Sequence, residues 1–225
     1  MKILEVVGLT CRVGGVTMPD ALSFTVEEGE ILALCGPTRA GKTACIRCLS
    51  GALPIESGRL ILDGVEVTGA MPRDLVRHGL VRVGQIPTPP WSLTVAQAVT
   101  LALRWPQLGV LAALLATWPG ARGPQVAALL DEVGLGADAG RRRDALPAAG
   151  HGRLALAQAL ALAPRLLLVD EPLGHLPLED RPVMAALLSR IRASGITLVL
   201  TERDPAVAEA VADRVAIVDH GAVVA

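Results

Sequence analysis

The chain has 225 residues, which is enough to bury one full hydrophobic core with room for a smaller subdomain. Its formal net charge of −1 excludes the strongly basic surface that nucleic-acid-binding proteins usually carry. Hydrophobic residues make up 52% of the chain, with one Phe and no Tyr, so Ala, Leu and Val must form the core. Such a core is typical of helices packed on a parallel sheet.

No segment of the sequence predicts a membrane anchor or a secretion signal. Residues Met1 to Glu5 lack the charged-then-apolar pattern of a signal peptide. The most apolar stretch without charges, Leu108 to Trp118, is too short to cross a bilayer. We therefore expect the protein in the cytoplasm.

The first predicted elements are short apolar runs separated by glycine turns. Leu4 to Leu9 and Ala21 to Val26 predict strands, with turns at Gly14-Gly15 and Glu28-Gly29. The run from Glu30 to Cys35 is apolar after its first residue and predicts a buried strand.

The segment after this strand has the spacing of a phosphate-binding loop. It fits the pattern G-x-x-x-x-G-K-[ST], and Ala44 to Leu49 then begin a helix. The residues of the segment are Gly36, Pro37, Thr38, Arg39, Ala40, Gly41, Lys42 and Thr43. Successive backbone N–H groups at the start of such a helix, that of Ala44 among them, point at the β-phosphate of a nucleotide.

Two side chains complete the predicted phosphate site. Lys42 supplies a point charge for the β- and γ-phosphates, and the Thr43 hydroxyl can ligate Mg²⁺. A glycine-rich turn with a chance lysine is the alternative interpretation. Because strand, spacing, lysine and hydroxyl all agree, we predict that the chain binds a nucleoside triphosphate together with Mg²⁺.

The four cysteines lie at positions 11, 35, 45 and 48. Cys45 and Cys48 form a lone CxxC pair without a second pair or a histidine cluster, which disfavours a zinc site. Redox chemistry remains an alternative. We expect reduced thiols that act as small hydrophobic residues beside the phosphate loop.

A hairpin and then a helical region follow the loop helix. Arg59 to Val67 predict a hairpin that turns at Asp63-Gly64, and Leu80 to Val83 predict a further short strand leading to Gln85. From residue 87 to about residue 150 the sequence is rich in Ala and Leu and is interrupted by prolines. We interpret this region as a helical subdomain inserted into the sheet domain.

A second chemical motif follows the predicted helix from Leu154 to Ala163. Leu166 to Val169 predict a buried strand, and Asp170 and Glu171 come directly after it. A buried strand of this kind delivers carboxylates to the carboxyl edge of a sheet. There Asp170 can ligate Mg²⁺ and Glu171 can polarise an attacking water. Acids that merely end a strand are the alternative interpretation.

The remaining elements alternate between helix and strand. They are helices over Pro182 to Ser194 and Pro205 to Ala212, a strand over Ile196 to Leu200, and a hairpin of Val215 to Val218 with Ala222 to Val224 around His220-Gly221.

Over nearly its whole length the chain resembles the ATP-binding cassette subunit of an ABC transporter. Gly36 to Thr43, Asp170-Glu171-Pro172 and Ala212-Asp213-Arg214 match the family motifs without gaps. The segment Gly79 to Gln85 is similar to the branched-chain amino-acid, urea and amide importer group. The resemblance implies an α/β fold of the P-loop NTPase type, with a mostly parallel core sheet, an N-terminal antiparallel β layer and an inserted helical subdomain. Residues 1–225 would form one domain.

The same resemblance implies roles and partners. ATP would be the nucleotide, Glu171 the general base, and Gln85 the residue that senses Mg²⁺ and couples to the membrane subunit. Arg203 stands where the family has its switch histidine. A second cassette subunit would complete a homo- or heterodimer, and transmembrane permease subunits would hold the chain at the cytoplasmic face of the membrane. No nucleic acid is implied as a partner.

The chain departs from the family at the signature segment, which faces the ATP held by the partner cassette. Leu146 to Gly150 occupy this place. Pro147 lacks a backbone N–H, and Ala148 and Ala149 replace glycines that allow close backbone approach. The donors that the partner's nucleotide would need are therefore depleted.

Four more departures affect other sites. Arg203 can donate to a γ-phosphate but cannot mimic a neutral imidazole. Pro177 replaces the D-loop aspartate, and Val13 falls near the aromatic residue that stacks on adenine. Arg39 occupies a position that is normally glycine, where it could strain the loop or add a phosphate contact.

Two main hypotheses follow from these matches and departures. In the first, the chain is an ATPase subunit that powers import of branched-chain amino acids or similar small polar solutes, with slow turnover. In the second, it is a degenerate cassette that binds ATP and acts as a regulatory half beside a hydrolysing partner. A soluble cassette protein of translation or repair is a minor third reading, since the second cassette or coiled-coil insertion usual there is absent from this sequence.

Overall fold

The computed structural model describes residues 1–84, 93–104, 123–219 and 222–223. Contacts between residues divide the chain into two compact units. One consists of Met1–Arg82 together with Arg165–Ala225, and the other of Val83–Pro164. The second unit is thus an insertion in the first along the sequence.

The strands are β1 (Lys2–Thr10), β2 (Arg12–Val13), β3 (Val16–Thr17), β4 (Leu22–Glu27), β5 (Ile31–Cys35), β6 (Ser57–Leu62), β7 (Val65–Glu66), β8 (Leu80–Arg82), β9 (Leu166–Asp170), β10 (Thr197–Glu202), β11 (Arg214–Asp219) and β12 (Ala222–Val223). The helices are α1 (Lys42–Leu49), α2 (Pro72–Arg77), α3 (residues 95–104), α4 (Pro124–Glu132), α5 (Ala148–Leu160), α6 (Arg181–Ala193) and α7 (Pro205–Ala208), with 3-10 turns at Gly136–Asp138 and Arg143–Ala145.

A six-stranded sheet forms the centre of the first unit, in the order β12-β11-β5-β10-β9-β8. Its strands pair in parallel, apart from the antiparallel pair of β11 and β12. All five residues of β5 are buried, and neighbouring strands flank it on both edges. This central position places the carboxyl end of β5 at the middle of the sheet edge, where parallel sheets usually bind ligands.

A second sheet of the first unit is antiparallel, in the order β4-β1-β6-β7. The predicted hairpin forms between β6 and β7, and the turn residues Asp63 and Gly64 both have positive φ, at 51° and 75°. Such a pair of dihedrals is the backbone of the two-residue hairpin turn that Asp-Gly favours. Buried side chains from this sheet, from α1 and from the parallel strands share one apolar core.

The inserted unit is helical in the residues that the structure describes. Its core is aliphatic, with Val95, Val99 and Leu130 among the buried side chains. The unit reaches Pro164, beyond the boundary near residue 150 that the sequence predicts. Helix α5 lies within this unit and begins at Ala148, directly after Pro147, whereas the sequence predicted a helix from Leu154. Of the helices described, none combines the length and apolarity that a membrane crossing would need.

Two of the four cysteines are not the reduced thiols that the sequence predicts. Cys11, which follows β1, is joined by a disulfide to Cys48 on α1, so the prediction is wrong for this pair. The two residues are 37 positions apart, and folding of the antiparallel sheet onto α1 brings them together. Cys35 and Cys45 are free and buried. Burial raises the pKa of Cys35 to about 11 and that of Cys45 to about 12, so both stay protonated near neutral pH.

Candidate functional site

The phosphate-loop segment connects β5 to α1, as its spacing predicts. The far end of β5 is fixed by Asp213, whose Oδ2 accepts a hydrogen bond from the Ile31 backbone N–H at 2.8 Å. Gly36 begins the loop against β11, and a Cβ at this position would overlap the carbonyl oxygen of Val218. Gly41 caps α1 with φ of 93°, a left-handed conformation that glycine adopts without strain. Gly36 is therefore required by a close backbone contact, and Gly41 by its left-handed conformation.

Lys42 folds back over the loop. Its Nζ donates to the backbone carbonyl oxygens of Gly36 at 2.7 Å and of Pro37 at 2.9 Å, and the residue is 4% exposed. Burial lowers the pKa of this ammonium, and the nearby Glu171 carboxylate opposes that effect. The ammonium thus lies at the centre of the loop, held by backbone carbonyls that a phosphate group can replace.

A hydroxyl and a carboxylate meet at the end of β9. Thr43 Oγ1 donates to Asp170 Oδ1 at 3.2 Å, and the Thr201 hydroxyl of β10 donates to the same oxygen. Hydroxyl and carboxylate oxygens are the ligands that Mg²⁺ prefers, and protein sites usually leave the remaining positions to substrate phosphates and water. Within the described ranges, no cluster of three or more His, Cys, Asp or Glu side chains could hold a metal by itself. Thr43 and Asp170 therefore fit a Mg²⁺ ion that a bound nucleotide would help to coordinate.

Glu171 follows in a constrained turn, with φ of 45°. Its backbone N–H donates to the carbonyl oxygen of Thr201 at 3.1 Å and to the Thr201 hydroxyl at 3.0 Å. Arg203 Nε donates to Glu171 Oε2 at 2.9 Å, and His175 Nε2 lies 2.9 Å from the same oxygen. The carboxylate is 12% exposed, so two basic side chains hold one partly buried acid.

Four of these groups, Lys42, Thr43, Glu171 and Arg203, border one cavity of about 460 Å³, a size that suits a nucleotide-sized ligand. Its lining comprises Thr38, Arg39, Ala40, Gly41, Lys42, Thr43, Ala44 and Arg47 from the loop and α1, Glu171 and Arg203 from the sheet edge, and Val13, Val16 and Met18 from the β2–β3 hairpin region. The valines and Met18 form the apolar end of the cavity. A base bound there would meet aliphatic carbons and a thioether.

Arg39 has φ of 72°, a left-handed conformation that favours glycine. The first of the two outcomes that the sequence suggests for this position, a strained loop, is therefore present in the backbone. The side chain also lines the cavity.

The departures at the signature segment lie at the start of α5, where Pro147 is the N-cap and Gly150 is buried against Leu146. Gln85 and the turn at His220-Gly221 lie outside the described residues, as does the Leu108 to Trp118 stretch.

Three participants near Glu171 are not identifiable from the sequence alone. Thr201 reaches Asp170 and the Glu171 backbone from β10, and Glu202 accepts hydrogen bonds from the loop after Glu171. His175 joins Arg203 on the Glu171 carboxylate. The phosphate loop was found through its fixed spacing, whereas these contacts depend on how β9 and β10 pair. The closest signal in the sequence is the acid Glu202 at the end of a fully buried strand.

The fold and the cavity together define a P-loop nucleoside triphosphatase. Residues 19–174 match the family described as ABC transporter, and the chain belongs to that family. The match confirms the assignment made from the sequence motifs and places the chain among ATP-hydrolysing transporter subunits.

Individual relatives support the same assignment. The chain is 31% identical to the high-affinity branched-chain amino acid transport ATP-binding protein BraF of Pseudomonas aeruginosa, over 98% of this chain and 89% of that protein. It is 34% identical to the methionine import ATP-binding protein MetN 2 of Rhodococcus jostii, over 92% of this chain, but it spans only 59% of that protein's length. A nucleotide-free ATP-binding cassette from an ABC transporter superimposes with a TM-score of 0.88 at 22% identity, covering 100% of this chain and 90% of that chain. This likeness confirms the predicted fold, with its parallel core sheet and antiparallel layer.

Proposed function

We propose that the chain is the ATP-hydrolysing subunit of an ABC importer for branched-chain amino acids or similar small polar solutes. The observation that carries the hydrolytic role is the Glu171 carboxylate, which borders the same cavity as Lys42 and follows Asp170 at the end of β9. The choice of solute rests on the likeness to BraF, whose name states that it serves branched-chain amino acid transport. Residues 1–225 would act as one ATP-binding domain with a helical insertion.

Nucleotide binding would begin at the loop. The N–H groups at the start of α1, that of Ala44 among them, lie where a β-phosphate gains from the helix dipole. Lys42 Nζ would leave the carbonyl oxygens of Gly36 and Pro37 for the β- and γ-phosphates. The loss of these two hydrogen bonds is offset by stronger charge-assisted contacts to phosphate.

Hydrolysis would depend on two carboxylates with separate tasks. Asp170 and Thr43 would hold Mg²⁺, which neutralises the negative charge that develops on the phosphate oxygens. Glu171 would orient the attacking water and accept its proton as the general base. Arg203 borders the cavity and would donate to the γ-phosphate, in the place that a histidine occupies in the family.

Partners follow from the family. A second cassette subunit, identical or not, would supply the opposing signature segment for this chain's nucleotide. Transmembrane permease subunits would hold the pair at the cytoplasmic face of the membrane, and Gln85 would couple the nucleotide to them. We propose no nucleic-acid partner.

A second candidate function is that of a regulatory half. It is favoured by two residues that line this chain's own cavity, Arg203 in the place of the family's switch histidine and Val13 in the place of an aromatic residue. Pro147, which caps α5 without a backbone N–H, and Ala148 and Ala149 would instead weaken the site of the partner cassette. In a heterodimer the two sites would then differ, and in this second function the chain would bind ATP without hydrolysing it.

The test is Mg-ATP turnover by the chain, alone and assembled with its partner cassette and permease subunits. The Glu171→Gln variant removes the base and keeps the size of the side chain. Because a general base contributes roughly 10² to 10⁴ in rate, we expect turnover to fall by that factor. Glu66→Gln, which alters an exposed carboxylate of β7 paired with Arg59, is the matched control.

The two functions predict different results. Turnover that collapses with Glu171→Gln and persists with Glu66→Gln supports the hydrolytic subunit. Unchanged turnover in the assembly, with ATP still bound by this chain, would assign hydrolysis to the partner and leave this chain the regulatory role.

A further inference from the structure

Two basic side chains hold the same oxygen of Glu171, and they come from different parts of the first unit. Arg203 Nε donates to Oε2 at 2.9 Å from the end of β10. His175 Nε2 lies 2.9 Å from Oε2 and belongs to the loop after β9, four residues beyond Glu171. Both side chains are more than half exposed, at 55% and 64%, whereas the carboxylate between them is 12% exposed. Glu171 is therefore the least exposed of the three side chains, and the two basic groups converge on it.

The two bases differ in their relation to the cavity. Arg203 lines it together with Glu171 and Lys42, whereas His175 is not among the described residues of the lining. A γ-phosphate entering the cavity would attract the guanidinium, because a phosphate carries more negative charge than a carboxylate and binds Arg in two-point geometry. His175 reaches Glu171 from outside the cavity, so nucleotide binding would not compete for it directly.

The loop that carries His175 is held by a buried acid. Glu202 is 1% exposed, and its Oε1 accepts from the Leu173 N–H at 2.7 Å and from the Gly174 N–H at 3.3 Å. A Cβ on Gly174 would come within 2.8 Å of Glu202 Oε2, so glycine allows the loop to lie directly against this carboxylate. The imidazole therefore projects from an anchored segment, two residues beyond the first of these hydrogen bonds.

We infer that His175 is a positioning residue for the general base: it holds the Glu171 carboxylate in its working orientation while Arg203 serves the γ-phosphate. This inference rests on the proposed hydrolytic function. In it, orientation of the base and contact with the γ-phosphate are divided between His175 and Arg203, which share Oε2 of Glu171. The imidazole donates its Nε2–H to the carboxylate, and the proton of the attacking water goes to Glu171.

The experiment compares steady-state ATP hydrolysis by five forms of the full chain in its assembly. They are the wild type, His175→Ala, His175→Gln, Glu171→Gln and the control His78→Ala, which removes an exposed histidine at the end of α2. The glutamine amide can donate from nearly the same place as Nε2, so it should rescue orientation without an imidazole. Circular dichroism and binding of a fluorescent ATP analogue accompany each form, so that folding and nucleotide affinity are known.

We expect His175→Ala to lower kcat about tenfold, a part of the roughly 10²- to 10⁴-fold that a general base contributes, with KM and analogue affinity unchanged. His175→Gln should recover most of that loss, and His78→Ala should match the wild type. If His175→Ala does not fold, His175→Gln alone decides. Partial activity of His175→Gln with unchanged KM supports the inference. Activity of His175→Gln as low as that of Glu171→Gln, with a wild-type KM, opposes it.

Three results would overturn the inference. The first is unchanged kcat in His175→Ala while Glu171→Gln is inactive, which leaves the proposed function standing. The second is a raised KM with unchanged kcat, which would make His175 a nucleotide contact. The third is a wild type no faster than Glu171→Gln, which removes the hydrolytic function and with it the base that His175 would position.

Discussion

Arg39 offers a direct test of strain in the phosphate loop. Its φ of 72° places a side chain where glycine is favoured, and the residue is exposed apart from its contact with the cavity. A left-handed conformation costs a non-glycine residue about 1–2 kcal/mol. Glycine would remove this cost but would add about 0.5–1 kcal/mol through the larger entropy of the unfolded chain. We therefore expect Arg39→Gly to stabilise the protein by about 0.5–1 kcal/mol.

Thermal unfolding measures this gain. For a chain of this length, about 1 kcal/mol corresponds to roughly 2–4 °C, so Arg39→Gly should raise Tm by about 1–4 °C. Arg39→Ala is the matched control, because alanine removes the guanidinium and keeps the strained backbone. Its Tm should stay close to that of the wild type.

The affinity for ATP reports the effect of the Arg39 charge separately from the effect of backbone strain. A guanidinium about 6 Å from one phosphate charge in water contributes about 0.7 kcal/mol, or roughly threefold in Kd. Both variants lose this charge, so both should bind ATP about threefold more weakly. Equal Tm values for Arg39→Gly and Arg39→Ala would refute the reasoning, since the two variants differ only in their tolerance of positive φ.

Two further predictions concern the apolar end of the cavity and Glu202, the buried acid that accepts hydrogen bonds from the loop after Glu171. Val13→Tyr should tighten ATP binding at least fivefold, because stacking of a base on an aromatic ring contributes about 1–3 kcal/mol, and calorimetric titration measures the change. Burial raises the pKa of Glu202, so the folded state holds its proton more tightly than the unfolded state. Its contribution to the free energy of unfolding therefore falls as pH rises above the ordinary carboxyl pKa. Compared with Glu202→Gln, the wild type should lose stability as pH rises above the ordinary carboxyl pKa, as urea unfolding at several pH values would measure.

A specific result would contradict each of these two predictions. Val7→Tyr, at an exposed position on β1 outside the cavity lining, is the control for added aromatic surface, and equal affinity gains in the two variants would exclude stacking at residue 13. For Glu202, a stability difference from the glutamine variant that is independent of pH would mean that the carboxyl titrates alike in the folded and unfolded chains.

The place of the phosphate-loop segment between a strand and a helix could be predicted from the sequence because its pattern is local. Its glycines, Lys42 and Thr43 lie within one short segment, so their spacing alone marks it. Asp170 was predictable for a related reason: buried parallel strands end at one edge of a sheet, and the acid ends the strand β9. The hairpin turn at Asp63-Gly64 was equally local.

Other features depend on contacts between distant segments and could not be predicted. His175 and Arg203 share an oxygen of Glu171 only because β9 and β10 are neighbours in the sheet. The Cys11–Cys48 disulfide requires the end of β1 to meet α1. Helix α2 was missed because it is six residues long, with too few turns to show a period. Helix α5 was predicted too late because Gly150 and Gly152 weaken the helical pattern of its first turns.

The position of β5 between β10 and β11 has a consequence for how the protein is made. The strand that carries the phosphate loop leaves the ribosome well before its partners in the sheet; the hydrogen bond from Ile31 to Asp213 spans 182 residues. At roughly 5–20 residues per second, this interval lasts on the order of 10 to 40 s. During that time the apolar strand lacks both of its neighbours in the parallel sheet, so the glycine-rich loop is synthesised long before the sheet that holds it can form.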